Sequence, residues 1–101
     1  MEISKVGVLG AGLMGHGIAQ VAAQAGFKVV LRDISEELVE KGLGSIESNL
    51  SKGVARGKVT QEERERALSN IRTTTRLEET ADADLYIEAV PERLAKTGDA
   101  R

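Results

Sequence analysis

The stretch VGVLGAGLMGHGIAQ, residues 6–20, decides the fold of this chain. It overlaps a short, nearly continuous apolar run over residues 3–9, which is typical of a strand buried on both faces. Apolar residues then recur at helical spacing over residues 13–25, and Gly26 stands where the end of a helix is expected. The glycines between the two segments are therefore predicted to form the turn from a strand into a helix.

Strand and helix patterns alternate along the rest of the chain. Ser35 is the expected N-cap of a long helix, and Thr60 with Glu63 matches a capping box. The patterns predict a strand over 28–33, helices over 35–54 and 60–69, a strand over 71–75, a helical turn over 77–81 and a buried strand over 84–90. Helical crossovers imply parallel pairing. The predicted fold is α/β, a partial Rossmann-type doubly wound sheet in the order 3-2-1-4 with flanking helices.

Composition limits the classes of function. The 101 residues suffice for one domain, and a net charge of -2 without a basic stripe argues against binding to nucleic acid. The chain has no cysteine, which suits a reducing compartment. No apolar run reaches the ~20 residues of a membrane span, and no signal peptide is recognisable at the start. We expect a cytoplasmic protein that does not enter a membrane.

The glycines form a G-x-G-x-x-G pattern with a distinct task for each one. Gly10 permits the tight turn, Gly12 lets a phosphate approach the backbone, and Gly15 lets the helix pack closely. Asp33 ends the second strand about 20 residues further on, where a carboxylate can bind a ribose diol. The pattern predicts a dinucleotide site, with NAD preferred to FAD and NADP. The alternative is a structural turn, with Asp33 capping the next helix.

Arg32, which precedes Asp33, and His16, which follows Gly15, are not expected to have principal roles in the site. Arg32 is expected to project to the opposite side of its strand from Asp33, away from a 2′-phosphate. His16 is the only histidine and follows the third glycine, so it lies at the pyrophosphate end and not where a catalytic base would act. A metal site is not expected, because no second histidine and no cysteine could complete it.

Three stretches together resemble a known family. They are VGVLGAGLMGHGIAQVAAQAGFKVVLRDISEE, SIESNLSKGVARGKVTQEE and DADLYIEAVPE. Over residues 3–94 the chain is similar to the N-terminal NAD-binding part of 3-hydroxyacyl-CoA dehydrogenases, including the 3-hydroxybutyryl-CoA enzymes. The resemblance implies NAD-dependent oxidation of a 3-hydroxyacyl-CoA to a 3-oxoacyl-CoA, in fatty-acid β-oxidation or butanoate metabolism. It also implies an NAD-binding domain over residues 1–94, and residues 95–101 are expected to be an unstructured tail.

The resemblance also assigns residues to the cofactor and the substrate. The residues expected around NAD are Gly10, Gly12, Leu13, Met14, Gly15, Asp33, Ala89, Val90 and Glu92. Glu92 matches a family acid near the nicotinamide ribose, with a solvated loop carboxylate as the alternative. Asn49 and Arg56 stand where family members use a Ser and a Lys to contact CoA. An ordinary solvated helix face remains the alternative for that pair.

The resemblance ends before the family's catalytic residues. In the family, the substrate Ser, the His–Glu pair and the Asn lie further along, and Thr97 stands here in place of a family Lys. We therefore expect an NAD-binding part without turnover of its own, and acyl-CoA as a partner only if the remaining part is supplied. The alternatives are a noncatalytic interaction or regulatory domain and an oligomer that rebuilds an active site. An open edge on the fourth strand predicts a homo-oligomer.

Overall fold

The computed structural model describes residues 3–89, which form one parallel four-stranded sheet with helices. The strands are β1 (Lys5–Leu9), β2 (Lys28–Arg32), β3 (Ile71–Thr74) and β4 (Leu85–Glu88). The helices are α1 (Leu13–Gln24), α2 (Glu36–Ala55) and α3 (Gln61–Ser69), with a 3₁₀ turn at Leu77–Thr80. The sheet order is β3-β2-β1-β4, and every neighbouring pair is parallel, so the predicted order is confirmed.

The core lies between the sheet and the three α-helices. Val8 pairs in register with Leu31 of β2 and with Ile87 of β4, and the first two of these side chains are fully buried. Because side chains alternate along a strand, every second residue faces the helices. From the helices, Ile46 and Leu50 of α2 complete the same cluster. The core is aliphatic, as expected for a chain with an aromatic content of 2%.

Local sequence signals fix the helix ends. Ser35 Oγ accepts a hydrogen bond from the Leu38 N–H at 3.2 Å at the start of α2. At the start of α3, Thr60 Oγ1 accepts from the Glu63 N–H at 3.0 Å, and a Glu63 carboxylate oxygen accepts from the Thr60 N–H at 2.9 Å. The predicted N-cap and capping box are thus confirmed. α1 ends at Gln24, and Gly26 follows with a φ of 102°, a conformation that favours glycine.

The sheet face opposite the helices carries a small cluster formed by Gly7, Tyr86 and Thr80. A Cβ at Gly7 would lie 3.3 Å from the Tyr86 ring and 3.4 Å from Thr80, so glycine lets the ring lie against β1. The Tyr86 hydroxyl donates a hydrogen bond to the Thr80 carbonyl oxygen of the 3₁₀ turn. The turn is thereby tied to the edge of the sheet.

β4 differs from the predicted buried strand. Leu85 is 41% exposed and Tyr86 is 46% exposed. Within residues 3–89, β4 pairs only with β1, and its helix-side face is only partly covered: Ile87 packs against the core, whereas Leu85 stays exposed. An open apolar groove of about 600 Å³ lies between α1 and β4, and Leu13, Met14, Val21 and Leu85 are among the residues that line it. None of the helices in this part of the chain has the length and apolar character that crossing a bilayer requires.

Asp84 fastens the beginning of β4 to the beginning of β1. One carboxylate oxygen accepts hydrogen bonds from the Ser4 N–H at 2.9 Å, the Lys5 N–H at 3.0 Å and the Ser4 hydroxyl at 3.1 Å. These donors stabilise the charged form and lower the pKa of Asp84 below its ordinary value of 3.8. A lowered pKa in the folded state means that Asp84 stabilises the fold above pH 3.8 and that this contribution is lost as the pH falls through the folded-state pKa.

We expect Asp84→Asn to lower the free energy of unfolding at pH 7, because the neutral amide is a weaker acceptor for three donors. The difference from the wild type should shrink progressively below pH 3.8, where the wild-type carboxylate is protonated as well. Urea unfolding followed by circular dichroism between pH 7 and pH 2.5 measures both effects. A difference that stays constant across this range would contradict the assignment.

Candidate functional site

At two positions of the turn between β1 and α1, the contacts are so close that only glycine fits. Gly10 has a φ of 112°, and a Cβ there would collide with the Ala89 carbonyl. The Gly10 N–H donates to the Arg32 carbonyl oxygen at 2.7 Å, which attaches the turn to the end of β2. A Cβ on Gly15 would overlap the Gly10 carbonyl, so α1 can begin this close to β1 only without a side chain there. Gly10 and Gly15 are therefore required by the packing of the chain itself.

Gly12 differs from these two glycines. Among residues 3–89, a Cβ at Gly12 would meet nothing within 4 Å, and its φ of -69° is accessible to every residue. Gly12 is the N-cap of α1, yet it offers no side chain to bind the first turn. The described part of the fold has no steric need for glycine at this position. A ligand that binds close to the backbone at Gly12 would explain why this position is a glycine.

The start of α1 presents a group of free backbone donors. Within residues 3–89, the N–H groups of Gly12, Leu13, Met14 and Gly15 have no protein acceptor in hydrogen-bonding geometry. The first turn of α1 has no acidic residue, so no side chain of the helix itself offsets the positive end of its dipole. Leu13 is 87% exposed and Met14 is 67% exposed, so ligands can reach these donors. Such an arrangement binds anions such as phosphate.

Asp33 connects the end of β2 to the glycine turn. Its Oδ2 accepts a hydrogen bond from the Ala11 N–H at 2.8 Å, and its Oδ1 accepts from the Ile34 N–H at 2.7 Å. A carboxylate offers about four acceptor positions, so both oxygens can still bind the hydroxyls of a sugar. The alternative that Asp33 caps α2 is wrong, because Ser35 is the N-cap. Arg32 is engaged elsewhere, since its Nε donates to the Thr75 carbonyl at 3.1 Å.

The other residues singled out from the sequence fall into three groups. Ala89 lies against the glycine turn, its N–H donating to the Leu9 carbonyl at 2.9 Å and its Cβ facing Gly15. Val90 and Glu92 lie outside the described residues. Asn49 and Arg56 are exposed on α2; Asn49 Nδ2 donates to Gln20 Oε1 at 3.3 Å, and Arg56 is the C-cap.

The two α2 residues are not brought to the glycine turn. α2 passes the turn at Gly42, where a Cβ would lie 2.8 Å from the Ala11 carbonyl oxygen. At about 1.5 Å per residue, Asn49 is roughly 10 Å and Arg56 roughly 21 Å further along the helix axis. The glycine turn and Asp33 thus form one cluster, whereas Asn49 and Arg56 lie along a separate helix surface.

Three further residues shape this cluster and are not among the residues singled out from the sequence. Ala11 is buried and supplies the N–H that binds Asp33, and Gly42 lets α2 pass against it. Ile34 is 75% exposed directly beside Asp33 and offers an apolar surface. A glycine inside a helical pattern is a known sign of close packing, so Gly42 could have been found from the sequence. The role of Ala11 depends on a side chain 22 residues away.

The fold and the site together define a class of protein. A parallel sheet carries a glycine turn between its central strand and the first helix, with free N–H groups at the helix start and a carboxylate at the end of the next strand. These are the features of a dinucleotide-binding domain of the Rossmann type.

Comparison with known proteins specifies the class further. Residues 5–97 match the family model described as "3-hydroxyacyl-CoA dehydrogenase, NAD binding domain". The 3-hydroxybutyryl-CoA dehydrogenase of Bradyrhizobium diazoefficiens is 48% identical over 91 residues, which are 90% of this chain and 31% of that protein. The chain belongs to the NAD-binding domain family of the 3-hydroxyacyl-CoA dehydrogenases, and it spans about a third of the length of such relatives.

Solved structures agree with this placement. Mycobacterium tuberculosis FadB2 superposes with a TM-score of 0.90 at 43% identity, over 99% of this chain and 35% of that one. The (S)-3-hydroxybutyryl-CoA dehydrogenase PaaH1 of Ralstonia eutropha superposes with a TM-score of 0.87 at 35% identity, over 98% of this chain and 37% of that one. The described fold therefore has a counterpart in both of these solved structures.

We expect Gly15→Ala to destabilise the domain by about 2 kcal/mol or more, because the added methyl group overlaps a backbone carbonyl. Gly17→Ala is the matched control on the same helix, since a Cβ at Gly17 meets no atom of the described residues within 4 Å. The control should be neutral or stabilising by up to about 1 kcal/mol, given the higher helix propensity of alanine. Urea unfolding followed by far-ultraviolet circular dichroism compares the two variants. Equal stabilities would show that α1 does not need this close approach.

Proposed function

We propose that this domain binds NAD(H) with the pyrophosphate on the free N–H groups of Gly12, Leu13, Met14 and Gly15. The observation that carries the proposal is the combination of four unpaired donors with an N-cap glycine that the described fold does not itself require. The donors and the positive helix end fit a pyrophosphate, and an open Cα at Gly12 fits its close approach. Gly10 completes the site by shaping the turn.

Asp33 is proposed to hold the adenosine ribose. Its carboxylate is already oriented by two backbone N–H groups, so the oxygens are fixed before a ligand arrives. A negative charge at this place favours the ribose diol of NAD and disfavours the 2′-phosphate of NADP. The exposed apolar side chain of Ile34 beside it suits the face of an adenine ring. We extend the proposed site along the chain to Ala89 and Val90 beside the cofactor and to Glu92 near the nicotinamide ribose, and the family resemblance supports this extension.

The complete reaction is proposed to be NAD-dependent oxidation of a 3-hydroxyacyl-CoA, in fatty-acid or butanoate metabolism in the cytoplasm. NAD, when bound, supplies a hydride acceptor. Family membership supports this assignment, and the relatives described above are named for 3-hydroxybutyryl-CoA. Asn49 and Arg56 on α2 are the candidates for contact with the acyl-CoA. We propose no turnover for residues 1–101 alone, because the residues of the family's acid–base chemistry fall in the two thirds that the relatives have in addition.

We expect NADH to bind the purified chain saturably, with Gly12→Ala raising the Kd about tenfold or more through steric blockage of the pyrophosphate. Asp33→Asn should raise the Kd by about tenfold to a hundredfold through loss of charge-assisted hydrogen bonds to the ribose. NADH fluorescence titration measures these constants. Gly44→Ala is the matched control, because an added Cβ is equally unobstructed by the described residues and Gly44 lies on α2.

Circular dichroism should confirm that all three variants keep the wild-type fold. A folded wild-type chain that does not bind NADH would contradict the proposal and favour a noncatalytic interaction or regulatory domain. Acetoacetyl-CoA added to the NADH complex tests the remaining alternative, because oxidation of NADH by the chain alone would demonstrate a complete active site in an oligomer.

We further propose that the chain forms a homo-oligomer through the open edge of β4 and the apolar groove beside it. The groove exposes 67% of Val21 and 41% of Leu85, and β4, which pairs only with β1 within residues 3–89, has free backbone groups on its outer edge there. A second copy of the chain presents the same apolar surface and the same open strand edge, so two copies can bury these surfaces against each other.

We expect static light scattering between about 1 and 100 µM to give a mass above that of one chain of 10.8 kDa. Val21→Glu and Leu85→Lys should lower the mass toward the monomer, because each places a charge in the groove. Leu77→Glu is the matched control, since Leu77 is 52% exposed and lies outside the groove. A monodisperse wild-type monomer over the whole range would refute the oligomer.

A further inference from the structure

His16 contacts the glycine turn through its side chain. Its Nδ1 lies 2.9 Å from the carbonyl oxygen of Gly12, and its own backbone N–H donates to the same oxygen at 2.9 Å. A carbonyl oxygen can only accept, so Nδ1 carries the proton in this hydrogen bond. The Gly12 carbonyl therefore receives two hydrogen bonds from a single residue one turn further along α1.

These two hydrogen bonds orient the peptide group between Gly12 and Leu13. In a trans peptide the carbonyl and the following N–H point in opposite directions. When the Gly12 carbonyl is held toward His16, the Leu13 N–H is turned the other way, out of the end of α1. The Leu13 N–H is one of the four donors without a protein partner in the described part of the chain. Gly12 alone leaves this peptide group freer to rotate than any other residue would.

We propose that His16 is a positioning residue of the cofactor site, which fixes the Gly12–Leu13 peptide group so that the Leu13 N–H faces the dinucleotide pyrophosphate. This inference rests on the proposed NAD site, and it assigns to His16 a role that does not involve proton transfer. The imidazole reduces the rotational freedom that the N-cap glycine introduces, so the donor is oriented before the ligand binds. Gly12 leaves room for the pyrophosphate to approach the backbone, and His16 restrains the rotation that a glycine would otherwise allow.

The test compares NADH and adenosine binding by the wild type, His16→Ala and His16→Asn. His16→Ala should weaken NADH binding about threefold to tenfold, the effect of one hydrogen bond that orders the site. His16→Asn should recover part of the loss, because its amide N–H can reach the same carbonyl. Adenosine has no pyrophosphate, so its affinity should be the same for all three proteins. Gln24→Ala, an exposed change at the far end of α1, serves as the control that keeps wild-type binding.

A second measurement does not depend on the cofactor. The ¹⁵N chemical shifts of the imidazole in the free protein distinguish the two tautomers, and we expect the proton of the neutral ring on Nδ1. The Nε2–H tautomer, or NADH affinity in His16→Ala equal to the wild type, would overturn the role of His16 and leave the NAD site intact. A folded wild type that binds no NADH would overturn the NAD site and this inference with it.

Discussion

The close approach of Gly15 to the carbonyl of Gly10 is the constraint on which the rest of this domain depends. Because no side chain separates them, α1 begins directly at the end of β1 and aims its first N–H groups over the carboxyl edge of the sheet. Two backbone hydrogen bonds connect this turn to the neighbouring strands: the Gly10 N–H donates to the Arg32 carbonyl of β2, and the Leu9 carbonyl at the end of β1 accepts from the Ala89 N–H that follows β4. Three strands and a helix therefore meet at one point.

The glycines of the turn are divided between two tasks. Gly10 and Gly15 satisfy contacts within the protein, whereas Gly12 leaves space that the described fold does not use. Asp33 combines both tasks, since it binds the Ala11 N–H and keeps further acceptor positions open. This division matters for interpreting variants, because replacing Gly15 alters the fold before it alters binding. Replacing Gly12 is expected to alter cofactor binding without altering the fold, so it separates the two effects.

The sequence predicts most of the fold because its signals are local. The Ser35 cap, the Thr60–Glu63 capping box and the alternation of strands with helices depend on neighbouring residues, and the structure confirms them. The predicted burial of β4 is wrong, because burial depends on what covers a strand and not on its own apolar pattern. The glycine turn and Asp33 were also recognisable by spacing. The hydrogen bonds from Ala11 to Asp33 and from His16 to Gly12 depend on the orientation of side chains, which the spacing of residues in the sequence does not predict.

The ring of Tyr86 has a consequence for optical spectroscopy. The chain contains one tyrosine and no tryptophan, so its near-ultraviolet absorption and intrinsic emission come almost entirely from this ring. Tyr86 rests on Gly7, and its hydroxyl binds the carbonyl of Thr80, which places the single chromophore at the junction of β1, β4 and the 3₁₀ turn. Its signal therefore follows the detachment of the edge strand, while the helical signal in the far ultraviolet follows the other face of the sheet. A difference between the two melting curves would reveal whether the edge opens before the core.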